Sequence, residues 1–212
     1  MENLLLIKSN IKDKTLINKK REHIAKKSVE LFVKKGYHQT TVREIAKASK
    51  MSMGALYDYI NTKEDILFLV CDHIHSTVSN KLTRSFTEEK GSLQNLRDAV
   101  KEYYTVIDEI QDYMLLLYQE TKSLNKNARK YIFDAELELT AIFETILKQC
   151  INEKTVILKN KDIKLVAQNI MVTGHMWAFR RWAISSDITL KTYIDTQTEI
   201  LLNGIKDTGD KR

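Results

Sequence analysis

Proline is absent from the 212 residues, and glycine occurs only 6 times. With so few breakers of helical backbone, long uninterrupted helices are the expected architecture. Cysteine is scarce as well. Cys71 and Cys150 lie far apart in sequence, make no disulfide framework and suit a reducing compartment. Long apolar runs are missing. The stretch Leu4–Ile7 is too short for a signal-peptide core or a membrane span, so no membrane partner and a cytoplasmic location are expected. Cys71 and His75 share a helix face at i, i+4 spacing, which is half of a tetrahedral metal set with no second half. No nucleophile–base–acid set or phosphate-cradling glycine loop stands out. Neither an enzyme nor a cofactor is expected.

What is present is charge, unevenly placed. Residues 1–67 hold 14 Lys+Arg against 8 Asp+Glu, while residues 68–212 hold 20 of each. The whole net charge of +6 therefore sits in the first third. That asymmetry fits a small nucleic-acid-binding unit joined to a neutral remainder. The competing reading is a solvated lysine-rich tail.

Periodicity divides the chain further. Residues 1–14 read as a flexible tail. From about Lys19, Ile24, Ser28, Leu31 and Phe32 fall on one helical face, and Gly36 is placed to end that helix. Thr41, with Glu44 three residues on, reads as a capping box ahead of a short second helix. Ser52 can cap a third, holding Leu56, Tyr57 and Ile60; Asn61 or Thr62 can cap a fourth. Further helices are expected over Leu93–Ile110, Tyr113–Leu124, Ala128–Cys150, Ile163–Ile184 and Leu190–Ile205, with a break at "EEKG" before Ser92. The patch "TVIL" at Thr155–Leu158 is a lone strand candidate without a partner. The expected class is all-α, with about nine helices.

The second and third short helices are separated by only a tight turn, the spacing of a helix-turn-helix. The third opens on Ser52, Met53, Gly54 and Ala55, small or flexible residues that permit close approach to base edges. Tyr57 and Tyr59 offer phenol hydroxyls, and Lys63 stands at the start of the fourth helix.

The stretch "ELFVKKGYHQTTVREIAKASKMSMGALYDYINTKEDIL" resembles the DNA-binding domain of TetR-family transcriptional regulators. The matches run in order through Phe32, Gly36, Thr41, Val42, Ile45, Ala46, Ser52, Gly54, Leu56, Tyr57, Tyr59, Lys63 and Glu64. They cover about Lys19–Leu67, the third that carries the charge. The resemblance implies a DNA-binding domain over 15–66 and a helical effector-binding and dimerisation domain over 67–212. It implies phosphate contacts at Thr41, Tyr57, Tyr59 and Lys63, base reading at Arg43, and groove contact at Ser52, Met53 and Gly54. Lys50 departs from the family's usual glycine in the turn; it is expected to add a phosphate contact and to strain the backbone if φ is positive there. Asp58 and Ile60 depart too, where an aromatic or His and a Phe are usual.

The resemblance also implies two uses for the remaining helices. The stretch "TGHMWAFRRWAIS" crowds aromatics, Met and His beside Arg180 and Arg181. It loosely resembles the last helices of members that sense fatty acyl-CoA. Tyr104, Tyr118, Met171, His175, Phe179 and Arg180 are the candidate effector contacts, for an acyl-CoA or another hydrophobic anion; aromatic packing at a dimer seam is the competing reading. The stripe Tyr193, Gln197, Ile200, Leu201 and Gly204, with Trp182, is the candidate homodimer seam. The expected function is a homodimeric repressor on a palindromic operator, released by a small-molecule effector. The alternative is an effector-independent architectural or division-control protein on the same fold.

Overall fold

Asp13 sets the first boundary. Its carboxylate accepts the backbone N–H groups of Thr15 and Leu16, so α1 begins at Lys14, a turn and more ahead of the expected Lys19, and runs Lys14–Lys35. Gly36 closes it at φ 84°. Helix α2, Val42–Ala48, opens on the Thr41–Glu44 capping box; α3, Met53–Tyr57, opens on Ser52. Helix α4 covers Lys63–Arg84. Thr62 and Asp65 cap its start reciprocally, Thr62 Oγ1 accepting from Asp65 N and Asp65 Oδ2 accepting from Thr62 N.

The computed structural model describes residues 7, 9, 11–84 and 91–205. The break expected at Glu88–Lys90 and most of the expected tail lie outside the described residues. The chain continues as α5 (Ser92–Glu109), α6 (Gln111–Glu120), α7 (Lys126–Asn152), α8 (Ile163–Phe179), α9 (Arg181–Ile184) and α10 (Leu190–Ile205). The helix expected over Ile163–Ile184 is interrupted at Arg180, whose φ of −110° and ψ of 16° leave helical geometry. Among the described residues there is no strand; in the "TVIL" patch, Ile157 N donates to Ile205 O at 2.6 Å.

Two compact units result. One runs to Ser76 and takes in Leu115–Asp134; the other is Thr77–Met114 with the chain from Ala135 onward. The first is closed by Ile24, Phe32, Ile45, Leu56, Ile60, Ile66 and Leu67, all buried. Each such side chain contributes roughly 1.5–3 kcal/mol on leaving water. Ile60 is fully buried where the resemblance leads one to expect a larger Phe. In the second unit α8 packs on α5 and α5 on α10. Gly174 makes the first of these crossings possible, since a Cβ there would lie 2.6 Å from Tyr103 Cε1 and 3.1 Å from Tyr104 Cδ1. Each unit holds one buried free thiol, Cys71 in the first and Cys150 in the second.

Candidate nucleic-acid interface and the helical core

In the first unit, the turn between α2 and α3 carries Lys50 at φ 54°, a left-handed conformation that an L residue with a Cβ adopts at a cost. The expected strain is there. Replacing Lys50 by Gly is expected to raise stability by roughly 0.5–1 kcal/mol, read from urea unfolding, while removing one cation from the turn.

Local bonds occupy several of the candidate contacts. Thr41 Oγ1 accepts from Glu44 N at 3.2 Å and donates to Glu44 Oε2 at 3.0 Å. Glu44 also takes the ammonium of Lys35, and these bonds hold its carboxyl down at about 2. Arg43, beside it, is exposed, and Glu44 is engaged with Lys35 rather than with it. Ser52 Oγ accepts from Ala55 N at 3.1 Å. Lys63 Nζ donates to His38 O at 3.1 Å and lies 4.5 Å from the Tyr37 ring centroid. Its pKa is lowered by partial burial.

The outer face of α3 is left to Met53, Gly54 and Tyr57, all exposed, with Asp58 exposed just after it. Gly54 is informative. A Cβ there would meet nothing within 4 Å, so the fold itself does not require glycine at that position. A helical glycine costs about 1 kcal/mol relative to Ala. Tyr59, by contrast, is turned inward and buried.

Its backbone is held by a residue the sequence did not single out. Arg21, buried on α1, donates from Nε to Tyr59 O at 2.9 Å and from a terminal nitrogen to Ile7 O at 2.8 Å. Ser9 Oγ donates to Asp58 O at 2.7 Å. Ile7 is itself buried and lines a cleft with Phe68, Asn125 and Ala128. The segment read as a flexible tail is therefore tied at Ile7 and Ser9 to the end of α3. No local pattern announces this, since a guanidinium inside "NKKREH" reads as one more solvated cation.

In the second unit, four of the six candidate effector contacts gather: Tyr104, Met171 and His175 are buried, and Phe179 is half-buried against the His175 ring. Tyr118 belongs to the first unit and is 70% exposed. Arg180 is exposed and lies 5.0 Å from the ring centroid of Trp182, while Arg181 reaches Asp112 at 3.6 Å.

The polar centre of this core is one the sequence missed. Tyr103 OH and His175 Nε2 are 2.8 Å apart, and Glu136 Oε1 lies 3.8 Å from the same nitrogen. Burial lowers the His175 imidazole to about 4 and raises the Glu136 carboxyl to about 7. It also pushes the Tyr103 phenol well above its ordinary value. Trp177 Nε1 donates to Asp108 at 2.7 Å. Glu136 sits in "AELELT", where it reads as a surface acid, and only the packing of α7 reveals it.

Of the candidate seam residues, Trp182, Ile200 and Gly204 are exposed and Gln197 and Leu201 half-buried. Tyr193 is buried within its own unit, donating its hydroxyl to Thr173 O at 2.7 Å beside Trp177. Exposed apolar surface also appears on α8, at Leu165, Val172 and Met176 with i, i+7, i+11 spacing, a stripe the sequence reading did not pick out. Among the described residues no cluster of three or more His, Cys, Asp or Glu could hold a metal ion, and no helix is long and apolar enough to cross a membrane.

Residues 24–70 match the family of bacterial regulatory proteins described as the tetR family, and residues 89–182 match the tetracyclin repressor-like C-terminal domain. The HTH-type transcriptional regulator HbdR of Aromatoleum sp. (strain CIB) is 30% identical over 189 residues, covering 89% of this chain and 82% of that protein. The fatty acid metabolism regulator protein of Bacillus subtilis (strain 168) is 23% identical over 146 residues, covering 69% of this chain and 75% of that protein. Among solved structures, a tetR-family bacterial regulatory protein from Rhodococcus RHA1 superposes with a TM-score of 0.75 at 24% identity, over 87% of this chain and 96% of that one. AibR in complex with isovaleryl coenzyme A and operator DNA gives 0.70 at 17% identity, over 85% and 97%.

Proposed function

The chain belongs to the tetR family of bacterial regulatory proteins, and from that premise we propose how its own residues carry out DNA-binding transcriptional regulation. Helix α3 enters the major groove with Met53 and Gly54 foremost, Arg43 on α2 reads a base edge, and Thr41, Lys50, Ser52, Tyr57 and Lys63 position the domain on phosphate. Tyr59 contributes through its backbone, as an anchor for α3, in place of the hydroxyl contact expected from sequence. The observation that carries this reading is Gly54. A glycine that its own fold does not need, on the exposed face of α3, fits a surface that another molecule approaches closely.

The protein acts as a homodimer, with the exposed apolar residues of α8 and α10 and Trp182 on α9 as its seam, on an operator with two half-sites. The second unit takes the effector. Its buried aromatic and methionine side chains suit contact with an apolar body, and the Tyr103–His175–Glu136 cluster supplies hydrogen bonds to one polar group. An acyl-CoA or another amphipathic anion is the class to test. That choice is supported by the isovaleryl coenzyme A held by AibR and by the fatty acid metabolism relative. Effector binding lowers operator affinity by linkage, making the protein a repressor released by its ligand.

Gly54→Ala is expected to stabilise the first unit by about 0.5–1 kcal/mol and to weaken operator binding at least tenfold in a gel-shift assay. Unchanged affinity would sink the groove assignment. Titrating the operator complex with isovaleryl coenzyme A and longer acyl-CoAs tests induction. Binding with no change in operator affinity would favour an architectural protein instead.

A further inference from the structure

We infer that the N-terminal segment is a second, phosphate-binding part of the DNA surface, with Lys12 and Lys14 contacting the backbone beside the groove that α3 enters. The inference rests on the reading of α3 as the recognition helix. Its observations are independent of that helix's own residues.

The segment is fixed where it matters. Ser9 Oγ holds Asp58 O, the carbonyl directly after α3, at 2.7 Å. Arg21 holds Ile7 O and Tyr59 O with the same guanidinium, and Ile7 is buried. Asp13, the one acid between the lysines, spends its Oδ1 on the N–H groups of Thr15 and Leu16. Lys12 and Lys14 flank it and are exposed.

Chain length then limits where these cations can be. Three residues span no more than roughly 11 Å, so the Lys12 backbone lies that close to Ser9 and hence near the end of α3. Duplex DNA carries a negative charge about every 1.7 Å along its axis. A domain that places Tyr57 on phosphate therefore brings Lys12, and next to it Lys14, within reach of neighbouring phosphates on the same flank. The two ammonium groups offset the carboxylates of Asp13 and Asp58 at this end of α3, and the surface is continuous with α3. Lys12 and Lys14, which would otherwise only be solvated, extend the DNA face.

The test uses the full-length chain and a duplex that it selects from a random pool. Operator affinity is measured by fluorescence anisotropy across a KCl series. Each lost phosphate contact reduces the slope of log K against log[KCl] by about 0.9. The Lys12→Gln/Lys14→Gln double variant should show a slope shallower by roughly one to two, with binding weakened on selected and random duplexes alike. Lys164→Gln, an exposed lysine of the other unit, should match the unaltered chain. Ser9→Ala, which frees the segment from Asp58 without touching a charge, should also weaken binding. An unchanged slope in the double variant overturns the inference, even if affinity falls, because the lysines would then act through the fold. If the unaltered chain selects no duplex at all, the recognition-helix reading fails and takes this inference with it.

Discussion

Arg21→Met will cost the first unit about 3–5 kcal/mol of stability. The guanidinium is almost fully buried, and it satisfies two backbone carbonyls that come from distant parts of the chain, Ile7 and Tyr59. Burial lowers its pKa and Asp65 opposes that shift, so the charge is retained against desolvation. Hydrogen bonds from a charged donor are worth roughly 1.5–3 kcal/mol each, and a thioether replaces none of them. In thermal unfolding a loss of 3 kcal/mol moves the midpoint by roughly 6–12 °C for a chain of this size. Arg21→Lys should fall between, because a single ammonium is a point charge and lacks the fork that spans both carbonyls. A loss below about 1 kcal/mol in the Met variant would show that the two carbonyls find other donors.

The second large effect concerns pH and needs two variants read together. Burial takes His175 from its ordinary 6.5 to about 4 and Glu136 from 4.5 to about 7. Between pH 4.5 and 6.5 the unfolded chain carries a proton on His175 and none on Glu136. The folded chain carries one on Glu136 and none on His175. The counts match, so this pair adds almost no slope to stability in that window. Glu136→Gln leaves His175 alone. Its depressed pKa contributes stability that is full above pH 6.5 and is lost as pH falls towards 4. His175→Gln keeps Glu136 as the one shifted group of this pair. Its raised pKa contributes stability that is full below pH 4.5 and is lost as pH rises towards 7. The signs are opposite, and each slope is bounded by one proton, about 1.4 kcal/mol per pH unit. Urea unfolding at half-unit intervals across pH 4.5–7 measures both. Two slopes of the same sign would refute the account of two opposed shifts.

Much of the first unit could be read from sequence because its devices are local. The Thr41–Glu44 box, the Ser52 cap and the positive φ at Lys50 each depend on residues within a turn of one another. Local chemistry announces itself in spacing. The buried Arg21 does not, because its partners lie 14 and 38 residues away and its neighbours are lysines. Tyr193 illustrates the same limit: its place on a helical stripe was legible, but the stripe could face inward or outward, and Trp177 and Thr173 decided it. The interruption at Arg180 had no helix breaker to mark it. For the candidate effector contacts, composition drew attention to α8, where Met171, His175 and Phe179 lie. Which side chains meet there depended on α5 and α7, whose acid and phenol looked ordinary in isolation.

The placement of the two cysteines gives the molecule a pair of built-in clocks. Cys71 lies in the first unit and Cys150 in the second, both sealed from solvent, and burial raises the Cys71 thiol to about 12. A thiol reagent can modify either one only when its own surroundings open. The two labelling rates, resolved by mass after digestion, time the excursions of each unit separately in the same sample. DNA should slow one clock and effector the other, so a third rate change, seen across units, would measure the coupling between them directly.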